Sequence, residues 1–98
     1  MAARLSDDAV ATELERLDGW TLDNDVIAKE FTFSGFSAAV AFVVEVAIAA
    51  EKANHHPDID IRWNRVRLAL TTHDAGGLTQ QDIDLATVAD GITGHGSG

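Results

Sequence analysis

The sequence predicts an α+β fold: one domain with a four-stranded antiparallel sheet and helices packed on one face, in the order α-β-β-α-β-β-α. Three observations carry this. Two stretches, Trp20 to Phe33 and Ile59 to Thr72, alternate apolar and polar residues around central turn formers, the pattern of hairpins. Before, between and after them, three stretches place apolar residues at helical spacing. The 98 residues, 46% hydrophobic and 23% charged, suffice for one hydrophobic core and leave no room for a second.

The elements follow in order. Ser6 offers a side-chain acceptor to free backbone amides, and Asp7 and Asp8 place negative charge where the helix dipole favours it. A helix therefore starts here, with Val10, Leu14 and Leu17 on its apolar side and Asp18-Gly19 as its stop. Trp20 and Leu22 open a hairpin that turns at Asp23-Asn24-Asp25 and returns along Val26 to Phe33. From about Phe36 to Asn54 an alanine-rich helix presents Ala39, Phe42, Val43, Val46, Ala49, Ala50 and Ala53 as one broad face. Pro57 is expected to force its end, because proline lacks an amide hydrogen and drives His56 out of the α region. Ile59, Ile61 and Trp63 alternate with polar residues, Asn64-Arg65 can turn, and Val66, Leu68 and Leu70 alternate through Thr72. After Gly76-Gly77, Thr79 can cap a last helix with Asp82 three residues on and Ile83, Leu85, Ala86 and Val88 on its apolar side. The glycine-rich tail from about Gly91 to Gly98 should fray.

Composition narrows function. The chain has no cysteine, which removes disulfides, thiolate metal sites and cysteine nucleophiles, and points to the cytoplasm. Neither a membrane span nor an export signal is legible, and sixteen acidic against seven basic residues give a net charge of −9 that repels nucleic acid. Arg62, Arg65 and Arg67 read as a solvated hairpin surface, with an anionic group of a ligand or partner as the alternative. A chain this small gains from association, so an oligomer is expected.

Three of the four histidines fall at the ends of elements: His55 and His56 where the long helix stops, His73 where the last strand gives way to Asp74-Ala75-Gly76-Gly77. Glu51, four residues before His55, would share a helical face with it if the last turn reaches that far, and would orient the ring. Each signal has a plainer reading. Imidazoles suit a helix C-terminus, His73-Asp74 suits a turn, and His95 lies in the tail. A three-histidine zinc site is disfavoured by the spacing, since adjacent histidines do not readily turn both rings to one ion. No serine sits in a glycine-flanked elbow, and Gly76-Gly77 lacks the lysine of a phosphate loop. Metal-free imidazole acid/base chemistry is what remains.

The run Ala50-Glu51-Lys52-Ala53-Asn54-His55-His56-Pro57-Asp58, then Trp63-Asn64-Arg65-Val66, then Thr72-His73-Asp74-Ala75-Gly76-Gly77-Leu78-Thr79 with Asp82, resembles the signature of pterin-4a-carbinolamine dehydratases. Gly19-Trp20, Phe31-x-Phe33 and the helix start at Phe36 to Phe42 add weaker support, so the resemblance spans about Leu14 to Ala89. It implies the same sheet-and-helix fold and dehydration of a 4a-hydroxytetrahydropterin to quinonoid dihydropterin, with neither cofactor nor metal. The pterin would come from an aromatic amino acid hydroxylase. The resemblance also implies a pocket lined by His55, His56 and His73, with Glu51 as the partner of His55. Within that pocket we assign His55 the general-acid role toward the hydroxyl, His73 exchange of the ring proton or action on the opposite face, and His56 positioning of the pterin, roles that are interchangeable among the three at this point. Trp20 is a candidate to stack on the ring or, equally, to anchor the first hairpin. Asp82 is a cap or a supporting partner, and Thr72 a hydroxyl near His73. Members form dimers or tetramers, and some act as dimerisation cofactors of a transcription factor, which leaves a protein-interaction role as the alternative.

Overall fold

In the computed structural model, which describes residues 3–93, Ser6 caps the first helix by accepting from the Ala9 amide at 3.1 Å. Helix α1 covers Asp7–Leu14, followed by β1 (Thr21–Asp23), β2 (Val26–Thr32), α2 (Phe36–Ala53), β3 (Asp58–Arg62), β4 (Arg65–Leu70), a 3₁₀ turn at His73–Ala75, and α3 (Gln80–Ile92). The four strands form one antiparallel sheet in the order β1-β2-β4-β3. Helices, hairpins and their order are those the periodicity predicts.

The central pair of strands sets the register of everything else. Ile27 opposes Leu70, and Phe31 opposes Val66, so that every second residue of β2 and β4 faces the helices. Against this face α2 buries Ala39, Phe42, Val46 and Ala50, and α3 buries Ile83, Leu85, Ala86 and Ala89. Phe42 stacks obliquely on both Phe31 and Phe33, with ring centroids 4.8 and 5.0 Å away. Val88, expected on the buried side of α3, is exposed, because Ala89 takes the inward position one residue later.

On the outer face Glu30 opposes Arg67, and Arg67 opposes Asp60 on its other side, a row of alternating charge across three strands. Arg62 donates to Asp60 at 3.2 Å along the same strand. The arginine cluster is thus part of a solvated sheet surface.

Three boundaries differ from expectation, each for a local reason. The second hairpin turns at Trp63-Asn64, one residue early, since Arg62 pairs with Arg65 and Trp63 adopts a φ of 55°. Thr72 leaves the strand and bridges to Gly77, closing a small loop around His73. Gly91 and Ile92 belong to α3, and residues 94–98 of the expected tail lie outside the described residues.

The end of α2 is the difference that matters most. Pro57 does not terminate the helix. The helix ends where expected, at about Asn54, but Asn54 itself stops it, by entering the left-handed region at φ 51° and ψ 43° while the His55 amide bonds back to the Ala50 carbonyl at 3.1 Å. Asparagine tolerates this conformation better than any other residue with a β-carbon, apart from aspartate. Replacing it should show the cost: Asn54→Ala is expected to lose about 1–2 kcal/mol in urea denaturation, and Asn54→Gly to stay within about 0.5 kcal/mol of the parent.

Candidate functional site

The left-handed residue at Asn54 swings the chain off the α2 face, so His55 does not occupy the position four residues along from Glu51. Its ring points inward instead, with a side chain only 10% exposed, and Nε2 lies 2.5 Å from Oδ1 of Asp82. Glu51 meets His56, at 3.5 Å, on the surface, with both side chains largely solvated. The expected Glu51–His55 pair is therefore replaced by two different pairs, His55–Asp82 and His56–Glu51. The exposed one contributes little.

Asp82 is wholly buried in the first turn of α3. Its Oδ2 accepts from the Thr79 amide at 2.9 Å and from Thr72 Oγ1 at 2.7 Å. The Thr79 hydroxyl in turn accepts from the Gln81 amide, which completes a capping box. Proton directions follow from chemistry. A carboxylate only accepts, so Thr72 spends its hydroxyl proton on Asp82, and Thr79 must donate to Thr72 across their 2.9 Å contact. By the same rule His55 donates from Nε2, which leaves Nδ1 as the ring nitrogen not engaged by Asp82. Among the described residues no buried side-chain polar atom lacks a partner.

Asp82 is thus both of the things the sequence allowed, a helix cap and a supporting partner. Thr72 is tied to the same carboxylate. What the sequence did not disclose is that this carboxylate belongs to His55.

A cleft of about 270 Å³ opens beside the network, lined by His55, His56, Thr72 and His73 together with Asn54, Thr71, Asp74 and Gln81. The three histidines arrive from two directions, two from the exit of α2 and one from the loop after β4. That loop is held by the Thr72–Gly77 bridge, in which each residue's amide donates to the other's carbonyl, and Gly76 turns it with a φ of 74°. Asn54, Thr71, Asp74 and Gln81 were missed as cleft residues. Asn54 and Asp74 adjoin histidines in sequence, but Thr71 and Gln81 carry no local signal. A larger hollow, about 570 Å³, lies between α2 and α3; it is lined by Glu45, Ile48, Ala49, Lys52, Ala53, Val88 and Ile92 and contains none of the three candidate histidines. Among the described residues no group of three His, Asp or Glu side chains is arranged to hold a metal ion.

Trp20 is not part of the cleft. It is buried in the core, meets Phe31 edge-on at 6.1 Å, and donates its indole N–H to Asp90 at 3.1 Å. Asp90 lies eight residues along α3 from Asp82, about 12 Å away. The anchoring reading of Trp20 holds, and the stacking reading falls.

With this geometry in hand, comparison with known proteins is decisive. Residues 3–92 match the family described as "Pterin 4 alpha carbinolamine dehydratase". The chain belongs to that family. A relative from Roseiflexus sp. (strain RS-1), provisionally named a pterin-4-alpha-carbinolamine dehydratase, is 59% identical over 92 residues, covering 94% of this chain and 99% of its own. The crystal structure of a transcriptional coactivator/pterin dehydratase from Brucella melitensis superposes with a TM-score of 0.88 at 36% identity, covering 91% of this chain and 97% of that one. A pterin dehydratase-like RuBisCO assembly factor of the alpha-carboxysome shares the fold at a TM-score of 0.63 and 21% identity, covering 76% and 87%. Dehydratase family membership and the expected fold are both established by these matches.

The network makes a sharp prediction for Asp82→Asn. The amide oxygen must stay on the Thr79 and Thr72 donors, which turns the NH₂ toward His55, and the ring must then present a bare Nε2. His55 should switch from the Nε2–H to the Nδ1–H tautomer, read by ¹⁵N ring shifts, with a loss of about 1–3 kcal/mol of stability. An unchanged tautomer would show that Asp82 does not set it.

Proposed function

We propose that this protein dehydrates 4a-hydroxytetrahydropterins to quinonoid dihydropterins by acid/base catalysis from its histidines, with no metal or cofactor. The observation that carries the reading is one cleft in which two independently held imidazoles, His55 and His73, face a common space. Family membership supplies the substrate class.

The reaction breaks the C4a–O and N5–H bonds, forms C4a=N5 and releases water. In this reading protonated His55 donates from Nδ1 to the departing hydroxyl, and retains its Nε2 proton on Asp82 throughout. His73 accepts the N5 proton as the nitrogen lone pair moves into the new double bond. One proton has then passed from His55 to His73, and solvent resets both through the open cleft. His56, 59% exposed at the rim, positions the heterocycle, and Glu51 orients His56 rather than His55. Thr72 acts through Asp82. The substrate would be supplied by an aromatic amino acid hydroxylase in the cytoplasm, as part of pterin recycling; no helix among the described residues is long and apolar enough to cross a membrane.

A homodimer or homotetramer is part of the proposal. Every residue of edge strand β3 is exposed, and Ile59, Ile61 and Trp63 remain 37%, 37% and 67% accessible. An edge of this kind favours pairing with another chain. The second reading, an interaction cofactor with a vestigial pterin site, draws on the same exposed surfaces and on the coactivator and assembly-factor descriptions of the two structural neighbours.

Chelator-treated protein should accelerate carbinolamine dehydration in stopped flow, and a requirement for added zinc would replace this mechanism with a metal one. His73→Ala should slow turnover by about 10²–10⁴-fold, down to the spontaneous rate if that is reached first. His55→Gln, which keeps a donor toward Asp82 but has no Nδ1, should fall comparably with unchanged circular dichroism. Wild-type rates in both variants would leave the interaction reading. Ile61→Lys should lower the mass seen in sedimentation if β3 mediates assembly.

A further inference from the structure

The loop that carries His73 is held at its two ends, Thr72 and Gly77, which bridge each other. Between them the loop bonds to itself: the Ala75 amide donates to the Thr72 carbonyl and the Gly76 amide to the His73 carbonyl. Where His73 stands therefore depends on what fastens the ends. At the first, Thr72 is tied to buried Asp82, and its neighbour Thr71 donates its hydroxyl to the Asp25 carbonyl at 2.6 Å.

The second end has no side chain and is held by the segment before α1. Gly77 is buried, and Arg4 lies against it so closely that a β-carbon there would collide with Arg4 Nε and stand 3.0 Å from Cδ and 3.3 Å from Cγ. Arg4 reaches on to the β1–β2 turn, where its guanidinium donates to the Asp25 carboxylate at 3.2 Å. The Leu5 amide then donates to the Leu78 carbonyl at 2.7 Å, the Leu5 side chain packs against the core, and Ser6 caps α1. Among the described glycines only Gly19 and Gly76 have a positive φ, so the backbone at Gly77 does not require glycine. What the missing β-carbon provides there is the seat for Arg4.

We infer that Arg4 is a positioning residue for His73: the Arg4-Leu5 strap holds the Gly77 end of the loop against the β1–β2 turn and so fixes where the imidazole stands in the cleft. Arg4 is not among the residues that line the cleft, so it acts through the loop. About half of each side chain in the Arg4–Asp25 pair is in water, and such a pair adds little to global stability. Proton transfer is far more sensitive to placement, since about 1 Å of error can cost about 10²-fold. This inference rests on the proposed role of His73 as the base.

Stopped-flow kinetics and amide exchange together test it. Arg4→Ala should lower kcat about three- to thirty-fold at unchanged KM. It should also speed exchange at Ala75, Gly76 and Gly77 while the His55 amide, bonded to Ala50, exchanges as in the parent. Arg4→Lys, which keeps an alkyl stem over Gly77 and a cation for Asp25, should restore most of both. Gly77→Ala should reproduce Arg4→Ala by unseating the side chain, and the double variant should be no worse than either single one. Full kcat in Arg4→Ala, a rise in KM in place of the fall in kcat, or additive losses in the double variant would overturn the strap. Should the parent fail to accelerate dehydration, faster loop exchange in Arg4→Ala would reject the reaction and keep the strap, and unchanged exchange would reject both.

Discussion

The hydrogen-bonded carboxylate of Asp82 is the point through which the exit of α2, the end of β4 and the start of α3 are joined. Removed wholly from water, it is tolerable only because donors surround it: the Thr79 amide, the Thr72 hydroxyl and the His55 ring. It also sits in the first turn of α3, where the helix dipole favours negative charge. Each donor belongs to a different segment, so the satisfaction of one group fixes the relative position of three chain ends. The histidine cleft lies where it does because those ends must meet there.

Most of the local structure in this arrangement was legible in the sequence. Ser6 and Thr79 announce helix starts, the alternation of Ile59, Ile61, Val66, Leu68 and Leu70 announces a hairpin, and the alanine-rich face of α2 announces what packs on it. Three histidines at element ends, and Asp82 as a cap, were legible too. The errors came where one residue changed the phase of the chain. Counting four residues from Glu51 to His55 assumes the helix continues, and Asn54 breaks it between them. Asparagine just past the last apolar position is a recognised left-handed helix stop, but Pro57, three residues on, is the stronger breaker and drew the expected stop to itself. The true partner of His55 is 27 residues away, and no periodicity reaches that far. The two readings of Trp20 stayed open for a related reason: nothing nearby in sequence identifies Asp90 as the acceptor for its indole.

The charge balance reads differently once the faces of the sheet are known. Arg67 stands in register between Glu30 and Asp60, and Arg62 bonds Asp60, so basic residues on the outer face are matched to acidic ones. Arg62 lies at the turn end of the β3–β4 hairpin, away from the cleft, and Arg67 lies midway along it. What the sheet's outer face supplies is solubility and register. Its free edge at β3, with isoleucines facing the helix side but beyond full cover, is the surface that the proposed association would use.

The two sides of the cleft are built to different standards of rigidity, and the proposed chemistry needs that asymmetry. His55 is packed to 10% exposure and tied through Nε2 to a buried acceptor, so a proton passing through it can use only Nδ1, in one direction relative to the heterocycle. His73 rides on an exposed loop closed by a single two-residue bridge, with open space on both sides of it. A dehydration of this type has to deliver a proton to one defined oxygen, which rewards fixed geometry at the acid. The proton removed from N5, by contrast, must finally reach water. An accessible base serves that end better than a buried one, and in the proposed reaction the two imidazoles would meet both demands because they come from elements of unlike packing.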